Sequence, residues 1–178
     1  TAAFPVDRLM SGAAADVAEI TPADLPAVAQ FLAREGDAPS PVAPDVVERR
    51  LAWRLLDNPA RSPEIPLGWM LRTATGEIVG IHLCMPQRFV CGESEYKLVL
   101  SAAYFVASDY RGIGLQLFLR YLQLGRRFGL YATTANASSA ALWRRFGASP
   151  VEGTDAEWLV VLRSGPLVEE VTKRRFGR

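Results

Sequence analysis

An apolar run leads into an arginine and two closely spaced glycines, and this junction carries the clearest chemical signal in the chain. Residues 98–105 are apolar enough for a buried strand, and Leu115 to Phe128 favour a helix. Gly112 and Gly114 have no Cβ, so a ligand can approach the main chain closely. The first N–H groups of a helix attract anions, and Arg111 adds charge-assisted hydrogen bonds. The spacing predicts a phosphate or other anion site, with a plain tight turn as the alternative.

Groups able to move a proton are few near this junction. His82, the only histidine, lies on a predicted strand, and an unperturbed imidazole titrates where a general base must. Tyr104 lies on the strand that leads into Arg111. We predict His82 and Tyr104 as catalytic residues, and the alternative for each is a structural role in a buried strand. A relay through ordered water needs neither side chain.

Two segments, in order along the chain, resemble motifs of the GNAT superfamily of acyl-CoA-dependent N-acyltransferases. Residues 111–116, Arg-Gly-Ile-Gly-Leu-Gln, resemble its pyrophosphate-binding loop, Arg/Gln-x-x-Gly-x-Gly/Ala. Residues 136–148 resemble its Asn-x-x-Ala-x-x-Leu-Tyr-x-Lys-x-Gly-Phe segment. Together with the preceding strands, the resemblance covers residues 16–162. The chain departs from the family pattern at Gln116, Ser139, Trp143 and Ala148.

The resemblance implies a site for an acetyl-CoA or other acyl-CoA co-substrate and no metal. Backbone amides of residues 112–116 would bind the pyrophosphate, and the backbone of Phe105 and Val106 would pair with the pantetheine arm. Asn136 would hydrogen-bond that arm or be only a helix N-cap. Trp143 stands where many members carry a tyrosine that acts as general acid; it would wall off an acyl chain longer than acetyl, or pack against the sheet. The implied cofactor-binding residues are Phe105, Val106, Arg111, Gly112, Ile113, Gly114, Leu115, Gln116, Asn136 and Trp143.

The order of elements predicts a mixed α/β (α+β) fold. Its sheet is expected to be largely antiparallel and flanked by helices, with a central parallel strand pair. The resemblance to the GNAT superfamily implies that this pair is splayed apart. Thr21-Pro22-Ala23-Asp24 has the pattern of a helix start. Residues 1–15 are predicted as a flexible lead-in, and residues 16–178 as a single GNAT-like domain. The predicted strands are 16–20, 67–72, 77–85, 96–107, 130–134 and 157–162, and the predicted helices are 22–34, 45–56, 115–128, 137–146 and 166–175.

Composition excludes several other classes. The net charge of +1 argues against a general nucleic-acid binder, and the apolar runs are too short for a membrane span. Cys84 and Cys91 make neither a disulfide framework nor a zinc site, so the expected setting is cytoplasmic.

Two functional classes follow. The first is an N-acyltransferase in which a small-molecule or protein amine attacks the thioester directly. The second is a catalytically silent domain that binds acyl-CoA or a partner, because residues 98–105 lack the carboxylate many family members use as base. Acyl carrier protein as donor and a homodimer are further partner hypotheses.

Overall fold

The computed structural model of the chain describes residues 14–36, 41–133, 135 and 137–151. The strands are β1 (Ala15–Glu19), β2 (Gly68–Thr73), β3 (Ile78–Cys91), β4 (Ser94–Val106) and β5 (Gly129–Tyr131). The helices are α1 (Leu25–Glu35), α2 (Pro44–Leu55), α3 (Arg111–Gln123) and α4 (Ala137–Arg145). The chain divides into two units, Thr1–Thr134 and Ala135–Arg178, and of these elements α4 alone belongs to the second.

The strands of the first unit form one sheet in the order β1-β2-β3-β4-β5. Neighbouring strands are antiparallel except β4 and β5, which run parallel and pair only over residues 98–100 and 129–131. β4 then continues to Val106 without β5 beside it, so the parallel strands part. The predicted mixed, largely antiparallel sheet with a splayed parallel pair is confirmed. The predicted strand 157–162 and helix 166–175 lie outside the described residues.

Two apolar layers cover the two faces of this sheet. Helices α1 and α2 pack on one face, where Phe31 and Leu51 meet Ile81. Helix α3 packs on the other face, where Leu117 meets Leu71. Fully burying such side chains stabilises the fold by about 1.5–3 kcal/mol each. The sheet is therefore the middle layer of three, and each of its faces carries a separate part of the core.

One carboxylate fixes the start of α1. Asp24 accepts hydrogen bonds from the backbone N–H of Thr21 at 2.9 Å and from its hydroxyl at 2.6 Å. Arg72 on β2 donates a third bond at 2.8 Å. Burial opposes the charge of Asp24, but these bonds and the Arg72 charge keep its pKa below the usual value. The helical turn predicted to begin at Pro22 is present, but it is a 3-10 turn over Pro22–Asp24, and α1 begins only at Leu25. The bond from Arg72 ties this start to the sheet.

A β-bulge in β4 alters which side chains face each layer. The β3–β4 register skips Ala102, because Ser101 and Ala103 pair with consecutive residues of β3. Ala102 and Ala103 consequently both pack toward α1 and α2. Ser101 and Tyr104 instead contact a side chain on the α3 side. Two successive small side chains leave open space at this point of the sheet.

Helix α3 begins at Arg111, earlier than the predicted start at Leu115. A 3-10 turn at Ser108–Tyr110 runs directly into it. Gly114 is buried, and a Cβ placed on it would lie 2.8 Å from Cγ2 of Val106. Close packing on the end of β4 therefore outweighs the low helix propensity of glycine, and both glycines of the motif lie in the first turn of α3.

Tyr121 of α3 lies where β4 and β5 part. Its hydroxyl lies 2.7 Å from the carbonyl oxygen of Val99 on β4 and 3.2 Å from that of Tyr131 on β5. The side chain is fully buried. Burial raises the pKa of Tyr121 above its usual value, so the hydroxyl stays protonated and donates. One phenol group thus holds both strands at the end of their pairing.

We expect Tyr121→Phe to lower the free energy of unfolding by about 1–3 kcal/mol, because buried carbonyl groups lose their donor. Urea unfolding followed by circular dichroism measures this change. Tyr96→Phe is the control, since Tyr96 is 53% exposed and its replacement should stay within about 0.5 kcal/mol. Equal stability of the two variants would contradict the role given to Tyr121.

Candidate functional site

The N-terminus of α3 is open at its exposed glycine. A Cβ placed on Gly112 would meet no atom within 4 Å. No side chain caps the helix at Tyr110, so its first N–H groups are not covered by a capping side chain. Arg111 is exposed beside them. The N–H of Arg111 already donates to the carbonyl of Ser108 in the preceding 3-10 turn. The positive end of the helix dipole, the open main chain at Gly112 and one guanidinium nevertheless suit a phosphate group.

Among residues 14–133, no strand pairs with the outer edge of β4 beyond Leu100, and this free edge lies next to the helix start. The N–H of Ala107 donates to the carbonyl of Val79 on β3 at 2.8 Å, and alternate residues of an antiparallel strand face the same neighbour. The backbone groups of Phe105 therefore face β3. Those of Tyr104 and Val106 face the side from which β5 has departed. An extended ligand can bind such an edge as an added strand.

A cavity of about 410 Å³ lies on the α1 and α2 face of the same strand. Its floor is formed by Leu83 with Ala102 and Ala103, the two alanines of the bulge. Both helices line its walls, and its volume is in the range typical of small-molecule sites. The free edge of β4 and this cavity therefore meet at one strand from different sides. The arginines lining the cavity are Arg34, Arg50 and Arg54.

His82 is fully buried under α3 rather than open to the cavity. Its ring lies 4.5 Å from that of Tyr121 and 5.0 Å from that of Tyr104, and its Nε2 is 2.9 Å from the hydroxyl of Ser101. Nδ1 has no hydrogen-bond partner within the described residues. Burial lowers the pKa of His82 to about 3, although the backbone of Leu117 acts in the opposite direction. The imidazole is neutral and a weak base, which does not favour the general-base role predicted for it.

Tyr104 is half-buried on the same side of the sheet. Burial raises the pKa of its phenol, so the group is protonated at neutral pH. A protonated phenol donates a proton and does not accept one at the start of a reaction. Tyr104 is therefore better suited to proton donation than to the role of base.

The other predicted site residues differ in burial and in the element on which they lie. Ile113 packs toward the α3 core, whereas Leu115 and Gln116 are exposed on α3. Asn136 lies outside the described residues. Trp143 is half-buried on α4, in the second unit.

Within the described ranges, no helix is long and apolar enough to cross a membrane, and no group of three His, Cys, Asp or Glu side chains is placed to hold a metal.

Sequence reasoning missed the bulge and the arginines around the cavity. The only local signal for the bulge is the pair of small residues Ala102 and Ala103 within an otherwise large-residue strand. Arg50 and Arg54 are four residues apart on α2 and share one helix face, but their position over the bulge depends on tertiary packing.

No protein-family model and no curated protein sequence matches the chain. Solved structures do match it. A glucosamine-6-phosphate N-acetyltransferase from Arabidopsis thaliana is 11% identical, with a TM-score of 0.58 over 84% of this chain and 99% of that chain. A GNAT family acetyltransferase from Staphylococcus aureus is 14% identical, with a TM-score of 0.56 over 82% and 98%. An aminoglycoside 6'-N-acetyltransferase from Acinetobacter baumannii is 13% identical, with a TM-score of 0.53 over 84% and 97%.

These three structures share the fold of this chain, with TM-scores of 0.53–0.58, although their sequences are only 11–14% identical to it. The chain has the GNAT fold, and the resemblance drawn from its two motifs is confirmed at the level of the fold.

The burial of His82 makes stability depend on pH. The pKa of His82 is about 3 in the folded chain, against an ordinary value of 6.5. The imidazole therefore binds a proton more readily in the unfolded chain. The free energy of unfolding is highest above the ordinary pKa and falls as the pH drops below it. Unfolding free energy should decrease by about 2 kcal/mol between about pH 7.5 and about pH 5. Urea titrations at each pH measure this.

His82→Phe is the matched variant, because the sequence has no other histidine. Its stability should be almost independent of pH over the same interval. The proton NMR titration of the wild-type imidazole gives a direct second measurement. A ring that titrates near its usual pKa would contradict the buried, neutral state.

Proposed function

We propose that this protein is an N-acyltransferase that moves an acetyl or longer acyl group from acyl-CoA to an amine acceptor. The observation that carries the proposal is the arrangement around β4. The free edge of β4 lies next to the start of α3, which no side chain caps. The bulge of β4 forms the floor of a cavity on the α1 and α2 face. A donor and an acceptor can thus reach one strand from different directions.

The donor would lie along the free edge of β4. Its pyrophosphate would receive N–H groups from the first turn of α3, where Gly112 leaves room for the phosphates and Arg111 adds charge. Its pantetheine arm would pair with the outward backbone groups of Tyr104 and Val106. Phe105, whose backbone faces β3, would contribute its side chain instead. Asn136 and Trp143 remain predictions from the sequence motif alone.

The acceptor amine would enter the cavity and attack the thioester carbonyl beside the bulge. A C–N bond forms, the carbonyl oxygen gains negative charge, and the C–S bond then breaks to release CoA as a thiolate. A backbone N–H of residues 104–106 would stabilise the oxyanion. The amine loses one proton and the thiolate gains one. Tyr104, on the α3 side of β4, and Tyr131, on β5, both have pKa values raised by burial and are candidate donors for that last step. Water entering the cavity can take the first proton.

Named proteins of this fold support an acetyl donor and amine acceptors of several kinds. The matched structures include a glucosamine-6-phosphate N-acetyltransferase, an aminoglycoside 6'-N-acetyltransferase and a ribosomal-protein-alanine N-acetyltransferase. The fold thus accommodates sugar and protein acceptors, and the choice between them must rest on the residues of this chain.

A silent acyl-CoA-binding domain is the second candidate, and the proton-transfer groups favour it. The pKa of His82 is about 3, the pKa of Tyr104 is raised, and β4 carries no carboxylate between Leu98 and Val106. A chain without an efficient base can retain the ligand site and lose turnover. The two candidates share the donor site and differ in catalysis alone.

Gly112→Glu tests the donor site, because it places a carboxylate where the phosphates are proposed to bind. Saturating CoA, at about 100 times its Kd, should stabilise the wild-type protein by about 2.7 kcal/mol in thermal unfolding. The Glu variant should lose this shift and keep its unliganded midpoint, since no atom lies within 4 Å of the new Cβ. Gly112→Gln is the uncharged control and should retain most of the shift.

Gly114 is unsuitable for this test, because its substitution disturbs packing on Val106 and should itself destabilise the fold by about 1–3 kcal/mol. An undiminished CoA shift in Gly112→Glu would remove the α3 start from the donor site. An absent shift in the wild-type protein would mean that acyl carrier protein presents the donor or that the loop has lost its ligand, and it would contradict acyl-CoA as the donor.

Turnover separates the enzyme from the silent domain. Acetyl-, hexanoyl- and palmitoyl-CoA should each be incubated with a panel of amines, and released CoA measured with a thiol reagent. We expect amine-dependent CoA release with at least one acyl chain. A CoA-dependent rise in the unfolding midpoint without release from any acyl-CoA would establish the silent domain.

A further inference from the structure

The described lining of the cavity that opens on the bulge of β4 carries arginines and no carboxylate. These arginines are Arg34, Arg50 and Arg54. Arg34 is shared between Glu35 at 3.2 Å and Glu77 at 3.4 Å. Arg50 and Arg54 form no ion pair within residues 14–36, 41–133 and 137–151. Among the described residues, the guanidinium groups of Arg50 and Arg54 at the wall of the cavity therefore have no carboxylate partner that would compete with a ligand.

The neighbouring arginine on the same helix differs. Arg49 pairs with Asp45 at 3.0 Å and does not line the cavity. Arg50 and Arg54 are four residues apart, so they project from one face of α2. Each guanidinium presents a planar set of donors that matches a carboxylate or a phosphate. The cavity thus has an apolar floor of alanines and an anion-binding wall.

We infer that the acceptor of the proposed acyltransferase is an amine that also carries a carboxylate or phosphate, bound by Arg50 and Arg54. This inference rests on the proposed function and names its substrate class. The anionic group lies against α2 and directs the amine toward Ala102 and Ala103, where the thioester carbonyl is proposed to lie. A polycationic acceptor is disfavoured, because its ammonium groups would meet the same arginines without a carboxylate to balance them.

Matched pairs of amines test the inference. Phosphoethanolamine is compared with ethanolamine, glucosamine 6-phosphate with glucosamine, and glutamate with its diamide, while kanamycin serves as a polycation. The wild-type protein should prefer at least one anionic member by about tenfold or more in kcat/KM. The pairs also distinguish phosphate from carboxylate recognition. Equal or better turnover of every neutral or cationic partner would overturn the inference.

The double variant Arg50→Gln, Arg54→Gln assigns the preference to these residues. It should raise the KM for the preferred anionic amine by about tenfold or more and leave the KM for acyl-CoA unchanged. Arg49→Gln is the matched control and should change neither value. An unchanged KM for the anionic amine in the double variant would refute the assignment.

Direct binding keeps this test separate from that of the proposed function. If no amine releases CoA, calorimetry with phosphoethanolamine, glucosamine 6-phosphate and glutamate still measures binding to the wild-type protein. Binding that the double variant loses, and that the neutral partners do not show, would support the anionic site while catalysis fails. An absence of binding by all three anionic amines would refute the site itself.

Discussion

The short pairing of β4 with β5 is the constraint on which the rest of the site depends. These strands pair over residues 98–100 and 129–131 and then part. The one proton of the Tyr121 hydroxyl is directed mainly at the carbonyl of Val99 on β4, at 2.7 Å, with the carbonyl of Tyr131 on β5 at 3.2 Å. Had the pairing continued, β5 would cover the outward backbone groups of Tyr104 and Val106. The position of the split is therefore set by a buried hydrogen bond from α3, the same helix whose first turn is open to an anion.

The sequence was most informative where chemistry is local. Thr21 and Asp24 predicted a helix start, and both form the expected bonds. Gly112 and Gly114 identified the strand-to-helix junction, because two closely spaced glycines after a buried strand are typical of a turn into a helix. The two glycines have different roles, however, since Gly112 faces open space and Gly114 packs on Val106. Spacing alone could not separate a ligand-facing glycine from a packing one.

The features that could not be predicted from the sequence depend on contacts between residues far apart in the chain. The bulge at Ala102 is a mismatch between two strands, so neither strand reveals it alone. The sequence predicts that β3 ends before Pro86, yet the strand continues through it to Cys91, because Pro86 pairs opposite Val99 within the ladder. The burial of His82 depends on Tyr121 and Phe118, both contributed by α3. A lone histidine in a strand is therefore compatible with a general base until its surroundings are known.

The two sides of β4 at the bulge differ in how readily mutation can change them. On one side of β4, the proposed donor contacts are main-chain groups, which a point mutation seldom removes. On the other side, the cavity is made of side chains from α1 and α2, and each can be replaced singly. Under the proposed function, acceptor choice can therefore drift while donor use is inherited, which accords with a fold that this chain shares with the matched structures at 11–18% identity. Engineering a new acceptor should begin on α2.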